Sequence, residues 1–285
     1  MIAREQQLDF ELSLLVAAIY HKFQHDFRDY SPASFKRRVA LAVSEFGVAT
    51  VSALQSKVLH DPDCFSTLLQ YLTIPVSEMF RDASYFVSVR NRLAPVLRTY
   101  PSLKIWVAGC STGENVYSLA ILLHEEGLLE KTMIYATDIN PENLRKAKAG
   151  VFSHEELQKF TSNYQKAGGT SSFSDYYNAG NDAAVFKHML KKHIVFADHS
   201  LATDDVFSEM HFISCRNVLI YFNRNLQNRA IGLFHNSICK SGFLGLGSRE
   251  SVQFSGYQLF FKTIVSEDRL FQKIAPEITA LQVMS

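Results

Sequence analysis

Two textures of apolar and polar positions divide the chain. Up to about residue 90, apolar residues recur every three or four positions, the spacing of one helix face. Leu8, Phe10, Leu12, Leu14, Leu15, Ala18, Ile19 and Phe23 form one such series, and Phe35, Val39, Leu41, Val43 and Phe46 a second. Ser34 is the expected N-cap of the second helix and Gly47 its stop. Shorter helices are expected over 51–59 and 61–72, the latter opened by Asp61-Pro62, and after a break at 73–82 another runs towards Arg98. From about residue 101 strand and helix alternate. Strands are expected from Leu103, over 133–140, 194–198, 211–217 and 243–247, with helices over 141–150 and 225–240. Residues 259–265 and 269–274 read as a closing hairpin. The Ser-, Tyr-, Asn- and Gly-rich stretch 151–192 is too long for a plain loop and predicts an inserted subdomain of short strands. Together these elements predict an N-terminal helical domain with linker over 1–90. An α/β domain over 91–285 follows, with 151–192 inserted in it.

The first βα unit carries the most chemistry. Leu103 to Ala108 reads as a buried strand, and Gly109-Cys110-Ser111-Thr112-Gly113-Glu114 as a glycine-rich turn opening a helix. A dinucleotide loop would read G-x-G-x-x-G and bind phosphate at the helix N-terminus. Here the spacing is G-x-x-x-G, and Glu114 stands where that phosphate would lie. A carboxylate there repels pyrophosphate but suits the cationic methionyl part of S-adenosylmethionine. The second strand ends on Asp138, placed to accept hydrogen bonds from ribose hydroxyls. Against these readings, Glu114 alone serves as a first-turn acid and Asp138 alone as a helix cap. Taken as a pair, they point to S-adenosylmethionine and methyl transfer.

Composition narrows the partners. Of the 285 residues, 47% are hydrophobic and 20% charged, and the net charge of +1 offers no global attraction for nucleic acid or an anionic membrane. The N-terminus lacks a signal-peptide core, and no apolar run reaches the length of a membrane span. Cys64, Cys110, Cys215 and Cys239 are widely spaced, with no metal-finger pattern, so reduced thiols in a cytoplasmic protein are expected. His199 and His211 read as structural, and no metal is expected.

The segments Phe80-Arg81-Asp82, Ala108 to Glu114 followed by Tyr117-Ser118, Ala136-Thr137-Asp138-Ile139, Cys215-Arg216-Asn217-Val218-Leu219-Ile220-Tyr221-Phe222 and Gly247-Ser248-Arg249-Glu250 recur in a known order. In these the chain resembles the chemoreceptor glutamate methyltransferases of bacterial chemotaxis, the CheR family, over nearly its whole length. The resemblance implies a helical domain followed by a Rossmann-like, seven-stranded S-adenosylmethionine-dependent methyltransferase domain with a small inserted β-subdomain. It implies a cytoplasmic monomer that methylates glutamates on the cytoplasmic helices of chemoreceptors, releasing S-adenosylhomocysteine and binding neither nucleic acid nor the bilayer interior. Carried over by position, Ser77, Arg81, Glu114, Asp138, Ser200, Leu201, Arg216 and Asn217 would line the cofactor site, with Arg81 and Tyr221 nearest the reacting centre. A glutamate acceptor is already ionised at neutral pH, its reference pKa being about 4.3, so no general base is required. What remains is to aim it, a task for the Arg81 fork and the Tyr221 hydroxyl.

The chain also departs from the family pattern. Ser248-Arg249 replaces a common His-Ser, Pro75 stands for a frequent asparagine and Met79 for a phenylalanine, so no role carries over to them. The run Lys36-Arg37-Arg38 matches a helix thought to meet acidic receptor helices, although at most two adjacent residues share a helix face. Two other readings keep the motifs: a methyltransferase for another substrate, and a non-enzymatic cofactor-binding signalling module.

Overall fold

The computed structural model describes residues 2–73 and 77–275, with side chains from Glu5 onward. Pro75, where the family pattern breaks, lies outside the described residues. Helices α1 (Ile2–Phe23), α2 (Pro32–Glu45), α3 (Val51–His60) and α4 (Pro62–Leu72) pack around Leu15, Ile19, Val39, Leu54 and Leu68, all fully buried. Asp61 caps α4 as expected, its side chain accepting from the Asp63 amide at 2.9 Å. Helix α2 begins three residues before the expected start, with Ser31 rather than Ser34 as N-cap and Pro32 in the first turn, where a missing amide costs nothing. The Ser31 amide donates to the Tyr221 carbonyl at 2.8 Å, and Tyr30 bridges to Phe222. The start of α2 is thereby tied to the second half of the chain.

That half is a seven-stranded sheet. Its strands are β1 (Leu103–Ala108), β2 (Thr132–Asp138), β6 (Ile194–Asp198), β7 (Met210–Cys215), β8 (Ile238–Leu246), β9 (Phe261–Val265) and β10 (Leu270–Lys273). They lie in the order β6-β2-β1-β7-β8-β10-β9, the first five parallel and the last two joined antiparallel. Both faces are covered, as a parallel sheet requires. On one lie α5 (Ala83–Ser88), a π-helical turn (Val89–Leu93), α6 (Ala94–Leu97) and α7 (Glu114–Glu125). On the other, α11 (Arg224–Ser237) packs near the buried Trp106. Strand β2 stops two residues before the expected end because Asn140 N-caps α8 (Pro141–Ala149), accepting from the Glu142 amide at 3.0 Å. Helix α11 ends at Ser237 rather than near 240. Residues 238–240 already belong to β8.

The insertion holds a three-stranded antiparallel sheet of β3 (Val151–Ser153), β5 (Ala183–Phe186) and β4 (Tyr177–Ala179). It also holds a helix that periodicity alone did not announce, α9 (His154–Lys166), with a short α10 (His188–Lys191) closing the segment. The signal was present: Ser153 and Glu156 form a reciprocal capping box, and Leu157, Phe160 and Tyr164 make the buried stripe.

The sheet order reverses at β1, whose neighbours β2 and β7 lead away in opposite directions. Open α/β sheets bind ligands at the carboxyl ends of the strands at such a switch point.

Candidate functional site

A cavity of about 930 Å³, open to solvent, occupies that switch point. Gly109, Cys110 and Ser111 enter it from the turn after β1, Asp138 from the end of β2, His199 and Leu201 from after β6, and Arg216, Asn217 and Val218 from after β7. The opposite wall comes from the first hundred residues: Tyr30, Arg38, Leu72, Thr73, Ser77 and Arg81. Tyr221 and Phe222 join the two.

The sheet wall is held by carboxylates that accept backbone amides. Asp138 accepts from the Ser111 amide at 2.8 Å, the Asn140 amide at 3.0 Å and the Asn143 side chain at 3.3 Å. Burial raises its pKa, and these three donors oppose the rise. Asp138 is therefore not the cap of α8, which is Asn140. Glu250, assigned no role from sequence, does the same for the other turn. It is buried and accepts from the amides of Gly247 at 2.6 Å, Asn217 at 2.9 Å and Ile220 at 3.3 Å. Gly109 has φ +66°, and a Cβ on it would lie 2.4 Å from Val218 Cγ2, so a side chain here would strain the backbone and displace Val218.

Several buried polar atoms here lack a hydrogen-bond partner among the described residues: Glu114 Oε2, Asn115 Oδ1 and Arg216 Nε around the sheet wall, and Arg38 Nε and Nη2 opposite. Orphaned buried groups are rare and costly, and a ligand is one remedy. Acceptors at Glu114 and Asn115 suit an ammonium, and a donor at Arg216 suits a carboxylate. This donor set fits an amino-acid-bearing nucleoside better than a phosphate. Glu114 itself is buried behind the lining, with Thr112 Oγ1 donating to Oε1 at 2.6 Å. Burial pushes its pKa up, and the Thr112 and Ser77 hydroxyls oppose that.

Of the residues named from sequence, Ser77, Arg81, Asp138, Leu201, Arg216, Asn217 and Tyr221 line the cavity, whereas Glu114 and Ser200 do not. The Ser200 hydroxyl accepts from the amides of Ala202 at 3.2 Å and Thr203 at 3.3 Å, closing its own turn. Arg216 lies with its guanidinium 4.1 Å over the Tyr85 ring and donates to Asp82 at 2.7 Å. His199 is buried against Trp106 and reaches the lining, while His211 accepts from the Lys104 amide at 3.0 Å, outside it. Among the described residues there is no cluster suited to a metal ion.

Arg38 is the residue that sequence reasoning placed wrongly. In the basic run, Lys36 pairs at the surface with Asp9 at 3.0 Å and Arg37 is exposed, but Arg38 is 2% exposed and turns inward. Its guanidinium lies 4.0 Å over the Tyr221 ring and donates to the Leu72 carbonyl. Burial pulls its pKa down, opposed by Tyr221 and Tyr30, yet an arginine remains charged. The sequence signal was modest: Arg38 sits three positions from Phe35 and next to Val39, on the buried stripe of α2. The cavity lining thus includes three arginines, Arg38, Arg81 and Arg216, together with Asp138.

Comparison with known proteins agrees with this geometry. Residues 11–73 match the family described as CheR methyltransferase, all-alpha domain, and residues 75–268 match CheR methyltransferase, SAM binding domain. The protein Cher3 of Pseudomonas putida is 58% identical over 94% of this chain and 98% of its own length. An uncharacterized 104.1 kDa protein of Rhodobacter capsulatus is 28% identical over 88% of this chain and 26% of its own. The chemotaxis protein methyltransferase of Listeria innocua is 26% identical over 80% of this chain and 84% of its own. No described helix is long and apolar enough to cross a membrane.

Proposed function

The chain belongs to the CheR methyltransferase family, whose cofactor is S-adenosylmethionine, and from that premise we propose that it methylates glutamate side chains on the cytoplasmic helices of chemoreceptors. The observation that carries the reading is the gathering of Arg38, Arg81, Arg216 and Tyr221 in the cavity that also holds Asp138. The Asp138 carboxylate suits a ribose, and the buried Arg38 guanidinium, two of whose nitrogens lack a partner among the described residues, suits an anionic acceptor.

When bound, S-adenosylmethionine supplies a methyl group made electrophilic by its sulfonium sulfur. The chain's own groups then have three tasks. Asp138, fixed by two backbone amides, accepts from the ribose hydroxyls, Asn115 in the lining takes the methionyl ammonium, and the Glu114 carboxylate acts on that ammonium from behind the lining. Arg81 and Arg38 draw the acceptor carboxylate out of water and hold it through their planar forks. Tyr221, wedged against the Arg38 guanidinium, donates to one carboxylate oxygen and leaves the other to attack. No proton leaves the acceptor, because glutamate enters ionised and departs as a neutral ester. The absence of a general base from this proposal follows from that balance. Catalysis rests on alignment and on replacing solvent by fixed charges.

Incubation with methyl-labelled cofactor and receptor cytoplasmic fragments tests the reading. Base-labile label on the fragment is the expected result. Label on nucleic acid or a small molecule instead, or binding without transfer, would overturn it.

A further inference from the structure

Beyond the cavity lining, the loop that follows Glu250 carries the least expected surface among the described residues. Phe254 is 83% and Leu259 77% exposed; the next large apolar side chain, Phe10, is 58% exposed. Phe254 also has φ +65°, a left-handed conformation that side-chain-bearing residues adopt at a cost. The loop is held rather than loose. The Phe254 amide donates to Gln258 Oε1 at 3.3 Å, and the Gly256 amide to Asn228 Oδ1 at 2.8 Å. Tyr257 fills the space beside Gly232, where a Cβ would come within 2.7 Å of its ring. An exposed aromatic on a fixed, strained loop is a preformed anchor.

Its position ties it to the mouth. The loop follows β8 and contains Glu250, whose carboxylate holds the amides of Asn217 and Ile220 beside Tyr221. Arg224 stands three residues after Tyr221, within about 11 Å along the chain, and its guanidinium lies 5.5 Å over the Phe254 ring. Arg224 and Arg249 are exposed. Leu259 lines a groove of about 760 Å³ against the β9–β10 hairpin, which Arg269 also borders. This surface is therefore apolar and basic together.

Resting on the glutamate reading above, we infer that Phe254 and Leu259, flanked by Arg224 and Arg249, form the docking surface for the helix that bears the methyl-accepting glutamate. Charge and continuity with the mouth select this occupant. A helix about 10 Å across that sends one carboxylate into the cavity must lie on its rim. A segment rich in glutamate and apolar on one side matches arginines beside an aromatic knob. Docking here supplies affinity and register, while the chemistry stays in the cavity.

The test is the double variant Phe254→Ser with Leu259→Ser, assayed on receptor cytoplasmic fragments at varied fragment concentration. The expected result is a KM for the fragment raised roughly tenfold, with kcat and S-adenosylhomocysteine affinity unchanged. Arg224→Ala is expected to raise KM by a smaller factor that shrinks in high salt. An unchanged KM overturns the surface, and so does a concentration-dependent dimer that the variant abolishes without altering KM. If the wild type binds S-adenosylhomocysteine but labels no fragment, the glutamate reading falls and this surface with it; labelling with an unchanged KM removes the surface alone.

Discussion

The two walls of the cavity are built on opposite principles. On the sheet side, carboxylates accept backbone amides: Asp138 joins the turns after β1 and β2, and Glu250 joins the turns after β7 and β8. On the helical side, a long cationic side chain lies across a ring, Arg38 over Tyr221, and Arg38 keeps two nitrogens without a partner among the described residues. The sheet wall is rigid before any ligand arrives. The helical wall retains charge waiting to be used. A cofactor common to many reactions suits the first, and an acceptor specific to one reaction suits the second.

Removing the carboxylate at the hinge of the sheet wall should break it most severely. Asp138→Ala strands two backbone amides and deletes the ribose acceptor, so S-adenosylhomocysteine affinity should fall at least about a hundredfold in calorimetry. Stability should fall by about 2–3 kcal/mol in urea titration, because a charged hydrogen-bond acceptor is lost from a buried site. Affinity within threefold of wild type would refute the assignment.

The next effect is a pH dependence confined to the same wall. Burial raises the Glu114 pKa above its ordinary 4.5, and a bound ammonium favours the ionised form and lowers it again. The complex then holds fewer protons than the free protein, so affinity rises with pH and is lost as pH falls through the raised pKa. Below that point the loss should approach about tenfold per pH unit. Glu114→Gln should bind more weakly at neutral pH and show a shallower slope, the remainder belonging to Asp138, whose pKa burial also raises. An unchanged slope would place the titration elsewhere.

A smaller, reversible break comes from shape. Gly109→Ala sets a methyl against Val218 and strains a positive φ, for a loss of about 1–2 kcal/mol of stability. Adding Val218→Ala should recover the steric share but not the backbone share. Full recovery would mean that the turn has no strain. On the helical side, Lys36→Ala should leave the melting temperature and transfer unchanged, since its pairing with Asp9 is exposed to water. A marked loss of transfer there would move the acceptor contacts outward to the helix surface.

These contrasts explain what could be read from the chain beforehand. The sheet wall was legible because its parts are local: a strand, a glycine turn and an acid follow one another in sequence, as do Asp138 and the cap at Asn140. Arg81, Arg216, Asn217 and Tyr221 line the cavity, brought there from distant parts of the chain. Arg38 did not fit its expectation, because the side a helix residue faces depends on what packs against that helix, and here α2 is pinned by Ser31 to the distant Tyr221 carbonyl. Glu250 escaped for the same reason, its three amide partners lying partly thirty residues away in sequence. In the insertion, Ser153 and Glu156 announced α9, but the polar texture around them hid the short apolar stripe. Local chemistry is written in order along the chain, whereas assembly across domains is not.

The division of labour between the walls is tested most directly by Arg38→Met, which keeps the bulk against Tyr221 and removes the guanidinium, with its charge and its hydrogen bond to the Leu72 carbonyl. S-adenosylhomocysteine should bind within about threefold of wild type, while methyl transfer to receptor fragments falls by about a hundredfold in kcat/KM. Loss of cofactor affinity together with transfer, or transfer at the wild-type rate, would contradict the assignment of the helical wall to the acceptor.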